Sequence, residues 1–79
     1  MREPTTQEIW EHEDRFSAAN SVDNVSIDLT EADVNGWCAS LSYDIIEDNE
    51  VIDTVMLNAF LWLDTVEGEF HLNTDGKVY

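Results

Sequence analysis

The chain has 79 residues, of which 18 are acidic and three are Lys or Arg, for a formal net charge of −15. This length makes one domain, near the lower limit for a self-sufficient core, while 43% hydrophobic and 10% aromatic residues separate it from a disordered acidic tail. Nucleic acid and anionic membranes repel such a surface, and its self-repulsion opposes compaction, so the charge points outward to a basic partner or a high-salt solvent.

The first segment reads as a helix over 5–20. Pro4 to Thr6 give a start signal, with Thr5 or Thr6 as cap and Glu8 in the first turn. Ile9, Phe16 and Ala19 recur at helical spacing with Trp10 beside them, and Glu8, Glu11, Glu13 and Asp14 lie mostly off that stripe. The period then changes to two. Val25, Ile27 and Leu29 alternate with polar residues over 24–32, and Trp37, Ala39, Leu41, Tyr43 and Ile45 do so over 37–46. A three-residue loop, Val34-Asn35-Gly36, pairs Val25 with Ile45, Ile27 with Tyr43 and Leu29 with Leu41, and puts Gly36 at a left-handed position. Glu47 to Glu50 form a polar turn. A third strand spans 51–64 with Val51, Val55, Leu57, Ala59, Leu61 and Leu63 on one face, Ile45 opposite Val51 and Leu41 opposite Val55.

After a turn at Thr65 to Gly68, a strand at 69–73 sets Phe70 and Leu72 opposite Leu63 and Leu61; Asp75-Gly76 is a further turn signal. Residues 51–64 also fit a helix, through Ile52, Val55, Met56, Ala59, Phe60 and Leu63. The strand reading is preferred because one register satisfies three consecutive hairpins. The expected fold is α+β, an N-terminal helix packed on a four-stranded antiparallel meander in a single domain, 1–79.

Site chemistry is sparse. Glu8 and His12 lie one helical turn apart, but two ligands do not make a metal site, and a solvated helix face is the preferred reading. His71 falls on the outer sheet face beside Glu69 and Asn73, with no nucleophile assigned near it. The acidic run 44–50 lacks the spacing of a calcium loop. Cys38 is the single cysteine and has no adjacent base to lower its pKa, so no intrachain disulfide is possible and a reducing compartment fits. No phosphate loop or hydrolase triad order is present. No enzyme activity, cofactor or metal is expected. The N-terminal residues lack the apolar run of a signal peptide, and no stretch has the length of a membrane span, which makes a cytoplasmic location the expectation.

What remains is the acidic surface. Same-face residues on a strand are about 6.6 Å apart, and carboxylates one helical turn apart are separated by about 6 Å. Both distances approach the spacing of neighbouring phosphates on one nucleic-acid strand. The candidate phosphate substitutes are Glu8, Glu11 and Asp14 on the helix, Asp28 and Asp44 on the outer sheet face, Glu47, Asp48 and Glu50 in the middle turn, and Asp64, Glu67 and Glu69 around the next turn. The outer face of the third strand also carries Ile52, Met56, Phe60 and Trp62, more than a single helix can cover. Phe60 and Trp62 are candidate anchors; sheet curvature or the C-terminal residues covering them is an equal alternative, as is a homodimer contact, so monomer and homodimer both stay open.

In size, charge and lack of a catalytic motif the chain resembles the DNA-mimic inhibitors made by phages and mobile elements. These include anti-CRISPR proteins and inhibitors of restriction enzymes, uracil-DNA glycosylase and nucleoid proteins. The resemblance covers the whole chain but rests on no residue motif. It implies occupation of the DNA-binding or PAM-reading groove of a CRISPR effector, without cleavage, in the cytoplasm of an infected host. The alternatives are a small halophilic domain whose acidity serves hydration, and an acidic adaptor or antitoxin-like module masking a basic partner.

Overall fold

Thr5 and Glu8 start the first element. Thr5 Oγ1 accepts from the Glu8 amide at 3.2 Å, and a Glu8 carboxylate oxygen accepts from the Thr5 amide at 2.9 Å. This capping box satisfies two amides that a helix start otherwise leaves without partners. Helix α1 then runs Thr6–Asn20 and stops at Ser21, whose left-handed φ of 54° returns its amide to Ser17 O. The computed structural model describes residues 2–74 and the backbone of 77–78.

Four principal strands follow: β1 (Asp23–Ala32), β2 (Gly36–Glu47), β3 (Glu50–Asp64) and β4 (Glu69–Thr74). A two-residue β5, Lys77–Val78, pairs with the end of β4. The order is β1-β2-β3-β4-β5, with every neighbouring pair antiparallel. The α+β meander is therefore as expected, with a short fifth strand added. Residues 51–64 are strand, because β3 pairs with β2 along its length and with β4 at its end. The Asp75-Gly76 turn signal lies outside the described residues.

The registers differ from expectation by two residues in the first two hairpins. Ile27 faces Leu41 rather than Tyr43, since an extra residue at Thr30 bulges β1 and four residues rather than three separate the last β1–β2 pair, Ala32–Trp37. The Asp33 amide closes that connection on Gly36 O at 2.8 Å. In the second hairpin Leu41 faces Leu57. Its turn is the two residues Asp48 and Asn49, with φ of 52° and 64°, the paired positive values of a type I′ turn. An extra residue at Ile52 bulges β3, between the pairs Ile45–Asp53 and Ile46–Val51. A shift of two keeps side chains on their faces, so the apolar pattern holds from Val55 to Leu63. Beyond the Ile52 bulge the parity reverses, and Val51, expected on the core face opposite Ile45, instead pairs with Ile46 and is 55% exposed. The third hairpin has the expected pairs, Leu61–Leu72 and Leu63–Phe70.

Gly36 is not left-handed; its role is close approach. A Cβ there would lie 2.3 Å from Leu61 O and 2.7 Å from Trp62 Cα.

The core lies between α1 and one sheet face. Leu41, Leu61 and Leu72 are fully enclosed, with Phe16, Ile27, Ala39, Ala59 and Phe70 around them. Phe16 meets Tyr43 with ring centroids 5.5 Å apart. The helix stripe differs from expectation at three positions. Trp10 is 58% exposed and Ala19 is exposed, while His12, expected on a solvated face, is 6% exposed. His12 Nε2 donates to Phe70 O in β4 at 2.9 Å, and the neighbouring Glu13 accepts from the Ile27 amide in β1 at 2.8 Å. Consecutive helix residues thus bond strands from opposite sides of the meander.

β2 and β3 are longer than their neighbours. Pairing with β1 ends at Asp44 and pairing with β4 ends at Ala59. Residues 45–53 consequently project as a two-stranded arm, consistent with overall dimensions of 43 × 23 × 20 Å.

Candidate partner-binding surface

The fold divides the acidic residues into two classes. One class has carboxylates bonded within the chain. Glu8 takes a bidentate ion pair from Arg2 at 2.6 and 3.0 Å, which holds its carboxyl down at about 2. Asp44 accepts from Asn24 Nδ2 at 2.9 Å and Thr54 Oγ1 at 2.7 Å, and these bonds lower its pKa. Asp64 Oδ1 accepts from the Glu67 amide at 3.3 Å and the Val66 amide at 2.9 Å, which lowers its pKa too. Of the sequence candidates, Glu8, Asp44 and Asp64 are therefore structural acids first.

In the second class, Asp14, Asp28, Glu47, Asp48, Glu50, Glu67 and Glu69 are exposed. Glu11 is exposed as well, with Gln7 Nε2 at 3.3 Å. These groups are spread over several elements, although Glu11 and Glu69 line one cleft. Glu11 and Asp14 belong to the helix, Asp28 to the outer sheet face, Glu67 and Glu69 to the β3–β4 end, and Glu47, Asp48 and Glu50 to the arm tip.

The arm tip combines three properties. First, Glu47 and Glu50 are direct cross-strand partners, and like charges so placed oppose folding. Asp23–Asp44 and Asp64–Glu69 repeat the arrangement elsewhere in the sheet. Second, no Lys or Arg occurs between Arg15 and Lys77, so the arm has no cation of its own. Third, the arm displays apolar side chains: Ile46 is 39% exposed, Val51 and Ile52 are 55% exposed, and Met56 on adjoining β3 is 72% exposed. Asp53, also exposed, adds a fifth carboxylate to Asp44, Glu47, Asp48 and Glu50 along this ribbon.

The anticipated outer-face anchors are only partly available. Phe60 and Trp62 are half-buried, and Trp62 stacks on His71 with ring centroids 4.5 Å apart. Ile46, not anticipated as an anchor, and Val51, expected on the core face, form an exposed cross-strand pair at the arm. Their signal was present: apolar residues come in adjacent pairs, Ile45-Ile46 and Val51-Ile52, on both sides of the turn. Strict alternation would have put only one of each pair inward.

Two further features adjoin the helix start and the β3–β4 turn. A cleft of about 200 Å³ is lined by Glu8, Glu11, His12, Arg15, Glu69, Phe70 and His71. Burial lowers the His12 pKa, and its Nδ1 is buried without a hydrogen-bond partner. The second feature is the group Asp64, Glu67 and His71, whose potential metal-ligating atoms all lie within 4.8 Å of one another. Among the described residues no helix is long and apolar enough to cross a membrane. Comparison with protein-family models, with curated proteins and with solved structures gives no match.

Proposed function

We propose that this chain is an inhibitory nucleic-acid mimic that acts by binding and not by catalysis. Its carboxylates take the place of phosphates in the basic DNA-binding groove of a nucleic-acid-processing protein. An anti-CRISPR role, blocking target-DNA recognition by a CRISPR effector in the cytoplasm of a phage-infected host, is the specific form of this reading. The observation that carries it is the projecting arm, with Glu47, Asp48, Glu50 and Asp53 exposed and no cation along it. A Lys/Arg-lined groove supplies the missing counter-charge, and association of this kind is fast and salt-sensitive.

The exposed Ile46, Val51, Ile52 and Met56 also favour a protein partner over a purely hydrating role for the acids. Those apolar groups are equally suited to an adaptor or antitoxin-like module that masks a basic protein. Competition separates the two. A purified guide-loaded CRISPR effector is incubated with labelled target duplex and increasing amounts of this protein. The mimic reading expects displacement of the duplex, weakening steeply as salt is raised. Formation of a ternary complex, with duplex and protein held together at the same groove, excludes mimicry; rescue of a toxin on co-expression instead supports the second reading.

A further inference from the structure

We propose that Asp64, Glu67 and His71 form a binding site for a divalent transition-metal ion of the zinc class. The site is at the opposite end of β3 from the arm, and it stands independently of the function proposed above. It also departs from the expectation that the chain has no metal site.

The three residues come from one hairpin. Asp64 ends β3, Glu67 belongs to the turn, and His71 is in β4. Asp64 uses Oδ1 to accept from the Val66 and Glu67 amides. This leaves Oδ2 turned to His71 Nε2, 3.6 Å away. That distance is too long for a hydrogen bond. It suits two donor atoms that each bind one metal at about 2.0–2.2 Å. Glu67 completes a triangle with donor atoms within 4.8 Å.

The frame is held on several sides. The Gly68 amide donates to Asp64 O at 2.7 Å, and Arg2 Nη2 donates to Gly68 O at 2.9 Å. Trp62, the cross-strand partner of His71, stacks on the imidazole at an interplanar angle of 28° and fixes the ring plane. Preorganised donors reduce the ordering that binding requires.

The donor chemistry selects the ion. One imidazole nitrogen with two carboxylates suits zinc and its neighbours, whereas magnesium and calcium favour oxygen donors alone. Two carboxylates neutralise a dication locally, and the net charge of −15 raises the cation concentration around the chain. Three protein donors leave a coordination position for water or for a side chain of a partner.

Zinc titration of the full chain by calorimetry, in excess magnesium to suppress diffuse adsorption, tests the site. One equivalent of zinc is expected to bind, with the His71 imidazole resonances and Trp62 fluorescence changing in step. E67Q and H71N are each expected to weaken binding at least about tenfold, as loss of a supporting contact alone costs about 10–100-fold. E47Q, at the arm, is expected to leave it unchanged. Glu67 is exposed and His71 half-buried, and circular dichroism verifies the fold of both variants. No saturable binding in excess magnesium, or equal loss from E47Q and E67Q, overturns the proposal, because either result means adsorption to a general acidic surface.

Discussion

The Nε2–H of His12 donates to the carbonyl oxygen of Phe70 at 2.9 Å, while the Nδ1 of the same ring is buried and unpartnered. The helix is thereby fastened to β4 by a neutral imidazole, with Nε2 as its donor nitrogen.

Burial lowers the His12 pKa from its ordinary 6.5; Arg15 and His71 act in the same direction, against the bond to Phe70 O and the Glu11 carboxylate. Glu8 and Glu69 also line the adjoining cleft. The unfolded chain therefore binds more protons than the folded one below about pH 6.5, so this contribution to stability is full above that pH and declines below it. The comparison to make is thus wild type against H12Q: the urea-midpoint advantage of wild type is expected to shrink from pH 7.5 to pH 5.5. NMR titration of the His12 ring checks the cause directly, and an unlowered pKa refutes it. H12A is expected to cost about 1–3 kcal/mol, the usual penalty for stranding a buried polar partner.

Gly36 and Gly68 make a controlled pair. At Gly36 a Cβ collides with Leu61 O, Trp62 Cα and the Phe60 ring. G36A is expected to destabilise by about 1–3 kcal/mol through overpacking. Gly68 has open space around it but a φ of 74°, so G68A is expected to cost about 1–2 kcal/mol through left-handed strain alone. G68N, which tolerates that conformation, is expected to recover much of the loss, and G36N none. Equal recovery at both sites in chemical denaturation contradicts the assignment.

The legibility of this fold in the sequence followed the same division between pattern and geometry. Period-two alternation placed Leu41, Leu61 and Leu72 inward and the meander in order, because the face of a strand residue depends only on parity. Registers were not recoverable where bulges at Thr30 and Ile52 add a residue, since neither position has a side-chain signature of a bulge. His12 was misplaced because its burial depends on one distant carbonyl, Phe70 O, that no local pattern reveals. Charge gave the character of the surface, but hydrogen bonding decides which acids remain available: Asp44 and Asp64 are identical in sequence terms to Asp28 and Asp48. No local pattern joins Asp64, Glu67 and His71, because the group assembles only when β3 and β4 pair across their turn.

Glu8 has two roles that substitution separates. Arg2 holds its carboxyl at about 2 against an ordinary 4.5, with backbone and hydroxyl bonds from Thr5 assisting and burial opposing. A lowered acid pKa contributes stability above pH 4.5 that is lost as pH falls towards 2. E8Q keeps the reach back to Thr5 but loses the ion pair, and, the pair being partly solvated, a change under about 1 kcal/mol is expected. E8A loses both roles and is expected to cost about 1 kcal/mol or somewhat more. Urea unfolding at pH 6 and pH 3 checks this: the wild-type advantage over E8Q should narrow at the lower pH. An unchanged gap means that the charge contributes nothing.

At the arm tip stability and binding should respond in opposite directions. Glu47 faces Glu50 across β2–β3, and a like-charge pair so placed costs roughly 0.2–1 kcal/mol. E47Q is therefore expected to raise the unfolding midpoint slightly, most clearly at low salt where screening is weakest. Under the proposed mimicry, the triple variant E47Q/D48N/E50Q should also compete at least about tenfold less well for the basic groove and show a shallower dependence on salt, since fewer charge contacts form. E11Q/D14N, which removes two charges from the helix, is the control for net charge alone and should leave competition nearly intact. If both variants weaken binding equally, total charge governs the interaction and the arm has no special part in it. If the triple variant gains stability and keeps full affinity, the acid pair at the arm tip has no role in recognition.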